Sequence, residues 1–587
     1  MQYKLYEKSD NNYHSKNILE NFLRNRGIED PQKYLCLNID VVNNFSLLDK
    51  MDEAVELFKK HFDKTNPIAI LIDEDADGFC SAAMMYLYIK KMNPNYPVEY
   101  IMHGRAKAHG LGNDVAIPND TKLLIIPDAG TNDTDECHKL QESGIDILIL
   151  DHHEMEYDNP YATIVNNQIS YNYPNKEFCG AGIVYKFFQA LDYEYWQEYA
   201  EDFLDLVALA NISDVMDMRS YETKFYVNLG LKNIKNKCFQ ALINAQDYSM
   251  HGKINIHNIQ FYVTPIINGC VRFGSQEEKE LLFRAFIETD ETFEYKKRAT
   301  KDKPAETIQE SIYDRAARLA KNAKARQDKA KDKGIADIIS KVGELDENDK
   351  VVMVDVTDIL DSSLTGVTAI KIAEYYNRPC FLLNRFSDNE YGGSARNLDH
   401  SPIKSLKDVV NETGIFNGAG HANAFGIISL ATEDSINAKN KLNDMLKNVE
   451  YVATYDVDYS VLADDISVSL ITDLDRTEDL IGQGIPEPMV AIEDIFLNKN
   501  DISVFGKNSD TISFMINDIK FIMFKCDDKN SLYNWIQDAW NDEDSIRFTV
   551  VGTPSINEYE GVRTPQIIIK DVEILENNIN EDDEVEW

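Results

Sequence analysis

Nothing in the 587 residues approaches the roughly 18 consecutive apolar residues that a membrane-spanning helix needs. The opening residues, MQYKLYEKSDNNYHSKN, are polar and lack the apolar core of a secretory signal. The expectation is a cytoplasmic protein with no membrane partner. Cysteine is sparse, with eight residues and no Cys-x-x-Cys pair, which excludes a disulfide scaffold and a zinc ribbon. Basic residues are also short, 60 against 100 acidic, for a formal net charge of −40. Such a chain is repelled by nucleic acid at long range, so a nucleic-acid partner would need a local groove that reverses the trend. Internal repeats and low-complexity tracts are missing too. What remains is 43% hydrophobic and 27% charged. That composition is globular, and at about 100–200 residues per domain the length implies several domains.

The order of patterns divides the chain. A helical arm occupies 1–66. From Pro67, short apolar runs (IAILID, VEYIMH, TKLLIIPD, IDILILD, ATIVNN) alternate with helical ones (SAAMMYLYIKKM, TDECHKLQESG, GAGIVYKFFQALDY). Strands alternating with helices predict βαβ units and a parallel sheet, here an α/β domain over 67–284. Residues 285–345 contain no glycine until Gly334 and read as one long charged helical connector. Lys296–Lys333 carries 13 basic against six acidic residues, a run that a solvated helix face would also explain. Residues 346–452 return to the α/β pattern as a smaller domain. From 453 to 575 the alternation is β-rich, and 576–587 is an acidic tail.

The chemistry lies where the acids fall. In an open parallel sheet, ligands bind beyond the carboxyl ends of the strands. Three predicted strands end in acids: Asp73, Asp75 and Asp77 after IAILI, Asp128 after LLIIP, and Asp151 with His152 and His153 after DILIL. Asp214 follows the helical run FLDLVALANIS. Each acid alone also reads as a helix cap or turn residue. Together they would repel one another unless a cation neutralised them. Carboxylates with one or two imidazoles suit Mn²⁺ or Mg²⁺. Asp75-x-Asp77 is expected in an extended turn that lets the two reach different ions, with Gly78 turning the chain into a helix near Ser81.

The ordered series Asp-x-Asp-Gly, IIPDAG, Asp-His-His and ISDVMDM resembles the motifs of the DHH phosphoesterase superfamily, and within it the RecJ family of single-strand-specific 5′→3′ DNA exonucleases. The likeness continues through FLRNRGIEDPQKYL, CGAGIVYKF, YVTPIINGCVRFG, GGSARN, GAGHANAFG, GQGIPEPMVAIEDI and INEYEGVRTPQIIIKDVEI. It implies a parallel-sheet DHH domain and a DHH-associated α/β domain joined by a long helix, then a C-terminal oligonucleotide-binding (OB) fold. It also implies hydrolysis to 5′-mononucleotides with two divalent cations, Mn²⁺ or Mg²⁺. Asp75, Asp77, Asp128, His152 and Asp214 match the ligand positions, with Asp128 bridging and His153 facing the scissile phosphate. Asp73 and Asp151 match positions that either ligate or support ligands.

A 5′-phosphate pocket is implied at Arg105, Arg272, Ser394 and Arg396, with His421 lining the strand path; arginine's planar fork suits phosphate. A surface salt bridge competes for Arg105 and a buried structural role for His421. Gly392 and Gly393 are expected to let backbone approach a phosphate. The sequence departs from the family at Glu74, which would add an acid beside the metals, and at Val271, Asp361 and Ala419. Phe505, Phe514, Phe521, Phe524, Tyr559 and Arg563 are candidates for stacking and gripping a strand on the OB fold, with alternation placing Phe514 in the core. A chain ended near Val452 is expected to keep its metal site but lose hold of long strands. The expected partner is single-stranded nucleic acid, DNA favoured, handled by a monomer that could meet a single-strand-binding protein or helicase. Two other readings stand: a DHH phosphodiesterase for RNA or short oligonucleotides, and a non-catalytic replication scaffold.

Overall fold

A computed structural model describes the chain except residues 8–16, 104–108, 113–114, 298, 300–303, 347, 388–389, 400, 430–434, 527–530, 538–544, 560 and 576–587, and the side chains of Ser387, Ser435, Ile436 and Tyr559. Arg105, the acidic tail and the Tyr559 side chain therefore lie outside the described residues.

After β1 (Gln2–Leu5) and short helices of the arm, a five-stranded parallel sheet forms from β2 (Ile68–Ile72), β3 (Val98–Met102), β4 (Leu123–Pro127), β5 (Asp146–Asp151) and β6 (Thr163–Asn166). The spatial order is β3-β2-β4-β5-β6. β2 and β4 are apolar and buried at every position because both faces are covered. Ile68, Ile70 and Ile72 pack with the helices Ala76–Met92 and Gly180–Tyr195, while Ala69 and Leu71 face the side of Cys137, as the period of two requires. Chain order reverses between β2 and β4, so their carboxyl ends bound the crevice where such sheets bind ligands.

The 285–345 stretch departs from expectation. The helix Gln276–Phe286 ends early, and β7 (Thr292–Lys297) pairs antiparallel with β8 (Glu306–Ser311) before the connector helix Ile312–Val342 begins. Arg315 and Arg318 lie over the rings of Phe293 and Tyr295, and Arg318 grips Glu310 through both ends of its fork, which ties the ribbon to the helix. The smaller domain is a sheet of β9 (Val352–Asp355), β10 (Cys380–Ser387), β11 (Glu390–Arg396), β12 (Phe416–His421) and β13 (Ala424–Ser429), in the order β12-β13-β11-β10-β9. The helix Thr365–Tyr376 packs on one face.

β14 (Thr454–Val457) pairs with β1. Beyond it, β15 (Tyr459–Leu462), β16 (Val490–Asn498), β17 (Ser503–Phe505), β18 (Thr511–Ile516), β19 (Ile519–Met523), β20 (Ser545–Tyr559) and β21 (Val562–Ile574) form one seven-stranded sheet. Phe514 and Phe521 stack at 5.0 Å in its core, as alternation gives for Phe514, and this takes Phe521 out of the stacking candidates.

The two ends of the chain meet. Arg26 of the arm pairs with Asp458 in a fully buried bridge, caps the Pro486 and Glu487 carbonyls, and stacks on Phe22 at 3.8 Å. The Gln483 carbonyl accepts from the Met218 amide at 2.8 Å, and the left-handed Gly484 lies so close to Asp217 that a Cβ would sit 2.1 Å from its carboxylate. The loop 476–487 is thus seated on the segment that follows Asp214. A chain ended near Val452 would lack that seat.

Candidate active site

Asp75 caps the helix Ala76–Met92, its carboxylate accepting from the Gly78 amide at 3.0 Å. The helix therefore starts five residues before Ser81, and Asp77 stands inside its first turn rather than in an extended turn. Gly78 is required for a different reason: a Cβ there would lie 2.6 Å from Asp73. Asp77 is buried and accepts from Ser81 Oγ, the Gly180 amide and the Ala181 amide at 2.8–2.9 Å. Gly180 in turn lets Asp128 approach, since a Cβ would come within 2.5 Å of it.

Asp128 leaves β4 with a left-handed φ of 66°, which turns its carboxylate into the crevice. Its Oδ1 lies 3.2 Å from His152 Nε2, and both atoms are buried without a hydrogen bond. His152 Nε2 is also 3.4 Å from Asp214 and 3.9 Å from Asp77. Val215, a β-branched residue at φ 59°, strains the helix exit that presents Asp214. Burial, then the charges of Asp77 and Asp75, push the carboxyls of Asp128 and Asp214 well above the usual range. Burial pushes the His152 imidazole down.

Three overlapping donor groups emerge among the described residues, Asp73–Asp75–Asp128, Asp77–His152–Asp214 and Asp128–Asp151–His152–His153, each with ligand atoms within 4.8 Å of one another. Orphaned buried atoms, mutually repelling carboxylates and an imidazole whose Nε2 faces them make a donor set that fits hard divalent cations.

Asp151 is saturated by the chain. It accepts from the amides of His152, His153 and Thr131, from Thr131 Oγ1 at 2.6 Å and from His153 Nδ1 at 2.8 Å. That fixes the His153 ring and pushes its pKa up to about 9 against the cost of burial, largely through the bond to Asp151. Asp73 is likewise engaged at both oxygens, by the Gly110 amide and His109 Nδ1, each at 3.0 Å. Both acids are thus already engaged by the chain's own donors, alongside their places in the donor groups. Glu74, expected beside the metals, instead pairs with Lys279 at 2.7 Å, both buried.

Across the crevice, Ser394 Oγ and Thr365 Oγ1 lie 2.9 Å apart, and Arg396 reaches the start of the helix Thr365–Tyr376, where a Cβ on Gly366 would meet its guanidinium at 2.7 Å. Burial and then the charge of Arg272 push the Arg396 pKa down, while Arg272 stabilises the Asp214 carboxylate. Arg272 is exposed and makes no hydrogen bond or ion pair among the described residues. Arg272 thus acts both on its fellow cation Arg396 and on an acid of the cluster. Gly392 and Gly393 are explained by β10, since Cβ atoms there would strike Phe386 and the Leu382 carbonyl. His421 is exposed, which excludes the buried reading, and shares a cross-strand row with Arg396 through Ala424. Sequence reasoning missed His109, Thr131, Lys279 and Thr365. His109 lay within HGRAKAHGLG beside Arg105, and Thr365 within DSSLTGVTA beside Asp361, so each had a neighbour that drew attention first.

Comparison with known proteins now adds to this geometry. Residues 67–211 match the DHH family, N-terminal domain, and 457–571 match the RecJ OB domain. A putative SPbeta prophage-derived single-strand DNA-specific exonuclease, YorK, of Bacillus subtilis (strain 168) is 36% identical over 585 residues, 98% of each chain. The single-stranded-DNA-specific exonuclease RecJ of the same organism is 24% identical over 551 residues, 90% of this chain and 64% of that one. The crystal structure of RecJ with Mn²⁺ from Thermus thermophilus superposes with a TM-score of 0.71 at 16% identity, covering 97% of this chain and 79% of that one.

Proposed function

The chain belongs to the RecJ-like single-strand DNA exonucleases of the DHH superfamily, and from that premise we propose that it degrades single-stranded DNA from the 5′ end to 5′-mononucleotides with two divalent cations, Mn²⁺ or Mg²⁺. The observation that carries the reading is the pair of buried, partnerless atoms, Asp128 Oδ1 and His152 Nε2, enclosed by Asp75, Asp77 and Asp214. Asp75, Asp77, Asp128, His152 and Asp214 would hold the ions. When bound, the ions would lower the pKa of a water and neutralise charge building on the phosphate.

The chain's own residues do the rest. Asp151 and Thr131 hold His153 with its second ring nitrogen toward the crevice, where it meets a phosphate oxygen. Arg272, Arg396 and Ser394 grip a terminal 5′-phosphate, and their distance from the acids sets the length of the unit removed. His421 lines the path opposite. The reading as a scaffold is disfavoured because every ligand position is retained. The reading as a phosphodiesterase for short oligonucleotides is disfavoured by the OB domain, which such a substrate does not need.

The test is degradation of 5′-labelled single strands, DNA beside RNA, by wild type and Asp128→Ala. Wild type should release mononucleotides from DNA, lose activity in EDTA and regain it with Mn²⁺ or Mg²⁺. A folded Asp128→Ala protein that hydrolyses at near wild-type rate would refute the assignment.

A further inference from the structure

The segment His109–Leu111 is stapled across the mouth of the acid cluster. The Gly110 amide and His109 Nδ1 occupy the two oxygens of Asp73, each at 3.0 Å, and the Leu111 amide donates to Asp133 at 2.6 Å. Gly110 makes the turn at φ 64°, and the Leu111 side chain is buried beneath it. The His109 ring is thereby fixed at one nitrogen. It meets the His153 ring edge-on with centroids 4.7 Å apart, and His153 lies 4.5 Å from His152. Three imidazoles thus step outward from the acids: the His152 side chain is 8% exposed, His153 42% and His109 53%. The outermost spends Nδ1 on Asp73 and one ring edge on His153, and its Nε2 makes no hydrogen bond among the described residues.

We propose that His109 is a further catalytic residue of this site, anchored through Nδ1 on Asp73 and contacting the reacting phosphate group of the nucleic acid through Nε2. The inference rests on the nuclease reading above. A bulky, planar hydrogen-bonding group held at the open edge of the centre is placed to meet a substrate that enters from solvent. Its rigidity is what a transition-state contact requires, because a group already oriented loses no freedom as charge develops.

The two ring nitrogens can be tested separately. In His109→Asn the amide nitrogen stands where Nδ1 stood, so the Asp73 anchor is kept and the distal contact is lost. In His109→Gln the amide reaches the Nε2 position. His109→Asn should lower kcat about ten- to a hundred-fold, the worth of one charge-assisted hydrogen bond, with KM and Mn²⁺ affinity by titration calorimetry unchanged. His109→Gln should recover part of that loss. If His109→Asn turns over like wild type, or if its loss tracks weakened Mn²⁺ binding and His109→Gln recovers nothing, His109 only secures the loop and the inference fails. A wild-type protein without nuclease activity would overturn the functional reading itself and this inference with it.

Discussion

Arg396 is held by geometry more than by charge. It donates to the Ala395 carbonyl at 2.8 Å and reaches toward the first turn of the helix Thr365–Tyr376, with Arg272 as its charged neighbour. Two guanidiniums at close quarters are tolerable when an anion lies between them. Arg396→Ala should therefore reduce discrimination between 5′-phosphate and 5′-hydroxyl strands more than it reduces chemistry. One such contact is worth about 1.5–3 kcal/mol, or one to two decades in affinity. The ratio of the two affinities in each protein is the measurement, and an unchanged ratio removes Arg396 from the pocket. At this scale the acids were legible because strand ends are local in sequence. Their holders were not: His109 and Lys279 reach Asp73 and Glu74 across 36 and 205 residues. No local pattern encodes such a pairing. Glu74 shows the consequence, since an acid among acids reads as a ligand until a lysine from a distant helix neutralises it.

Between elements, that same pair joins the loop after β2 to the helix Gln276–Phe286. Both partners are buried, so removing Lys279 leaves a buried carboxylate without its cation. Lys279→Met should cost about 3–5 kcal/mol, and Glu74→Gln combined with Lys279→Met should recover most of it. Denaturant midpoints of the two single variants and the double decide the matter, and strict additivity would mean that the pair is not a unit. Helices and parallel strands of the catalytic domain were readable because burial on both faces leaves continuous apolar runs. The β7–β8 ribbon was not. Among the described residues it belongs to no larger sheet, its faces are mostly exposed, and its charged residues mimic a solvated helix. Its order comes from Arg315 and Arg318 on the following helix, which is tertiary information.

For the whole molecule, the seat of the OB domain on the catalytic domain includes an ionisable group. Lys224 is almost wholly buried and donates to the Asp479 carbonyl at 3.1 Å, and burial pushes its pKa down to about 8. The unfolded chain keeps that proton up to the ordinary lysine range. Between the two values the unfolded state binds more protons, so this residue makes stability rise with pH across that window. Below about pH 8 both states are charged, and the cost of burying the ammonium is fully present. Lys224→Met should accordingly raise the melting temperature at pH 7, with the gain shrinking toward pH 10. A gain independent of pH would mean that packing, not charge, is responsible.

Whether the OB domain grips a strand turns on where its few basic residues lie. Residues 453–575 hold 24 acidic residues against nine basic, and Arg547, Arg476 and Arg563 lie against Asp494, Asp473 and Asp475. Arg563 is thus already answered by an acid. Phe505 and Phe524 differ: they are 41% and 53% exposed, and Lys520 stands over the Phe505 ring at 5.6 Å. Phe505 pairs with Thr511 and Met523 with Ile512, so both aromatics emerge at the same end of three adjacent strands. Lys507 and Lys525 follow them within two residues in sequence. At physiological salt the repulsion from the remaining acids is confined to about 8 Å, which leaves this corner free to hold a strand. Each base stacked on an aromatic is worth about 1–3 kcal/mol. Phe505→Ala and Phe524→Ala should each weaken binding of a long strand by about that amount, with turnover of very short oligomers unchanged. Charge reversal at Lys520 and Lys525 should flatten the salt dependence of long-strand binding, since fewer phosphates are neutralised. Point changes are the right instrument because deleting the domain would also expose Arg26, Met218 and Lys224. If both aromatic variants hold long strands as tightly as wild type with the same salt slope, the domain's contribution is its seat behind Asp214 rather than a grip on the substrate.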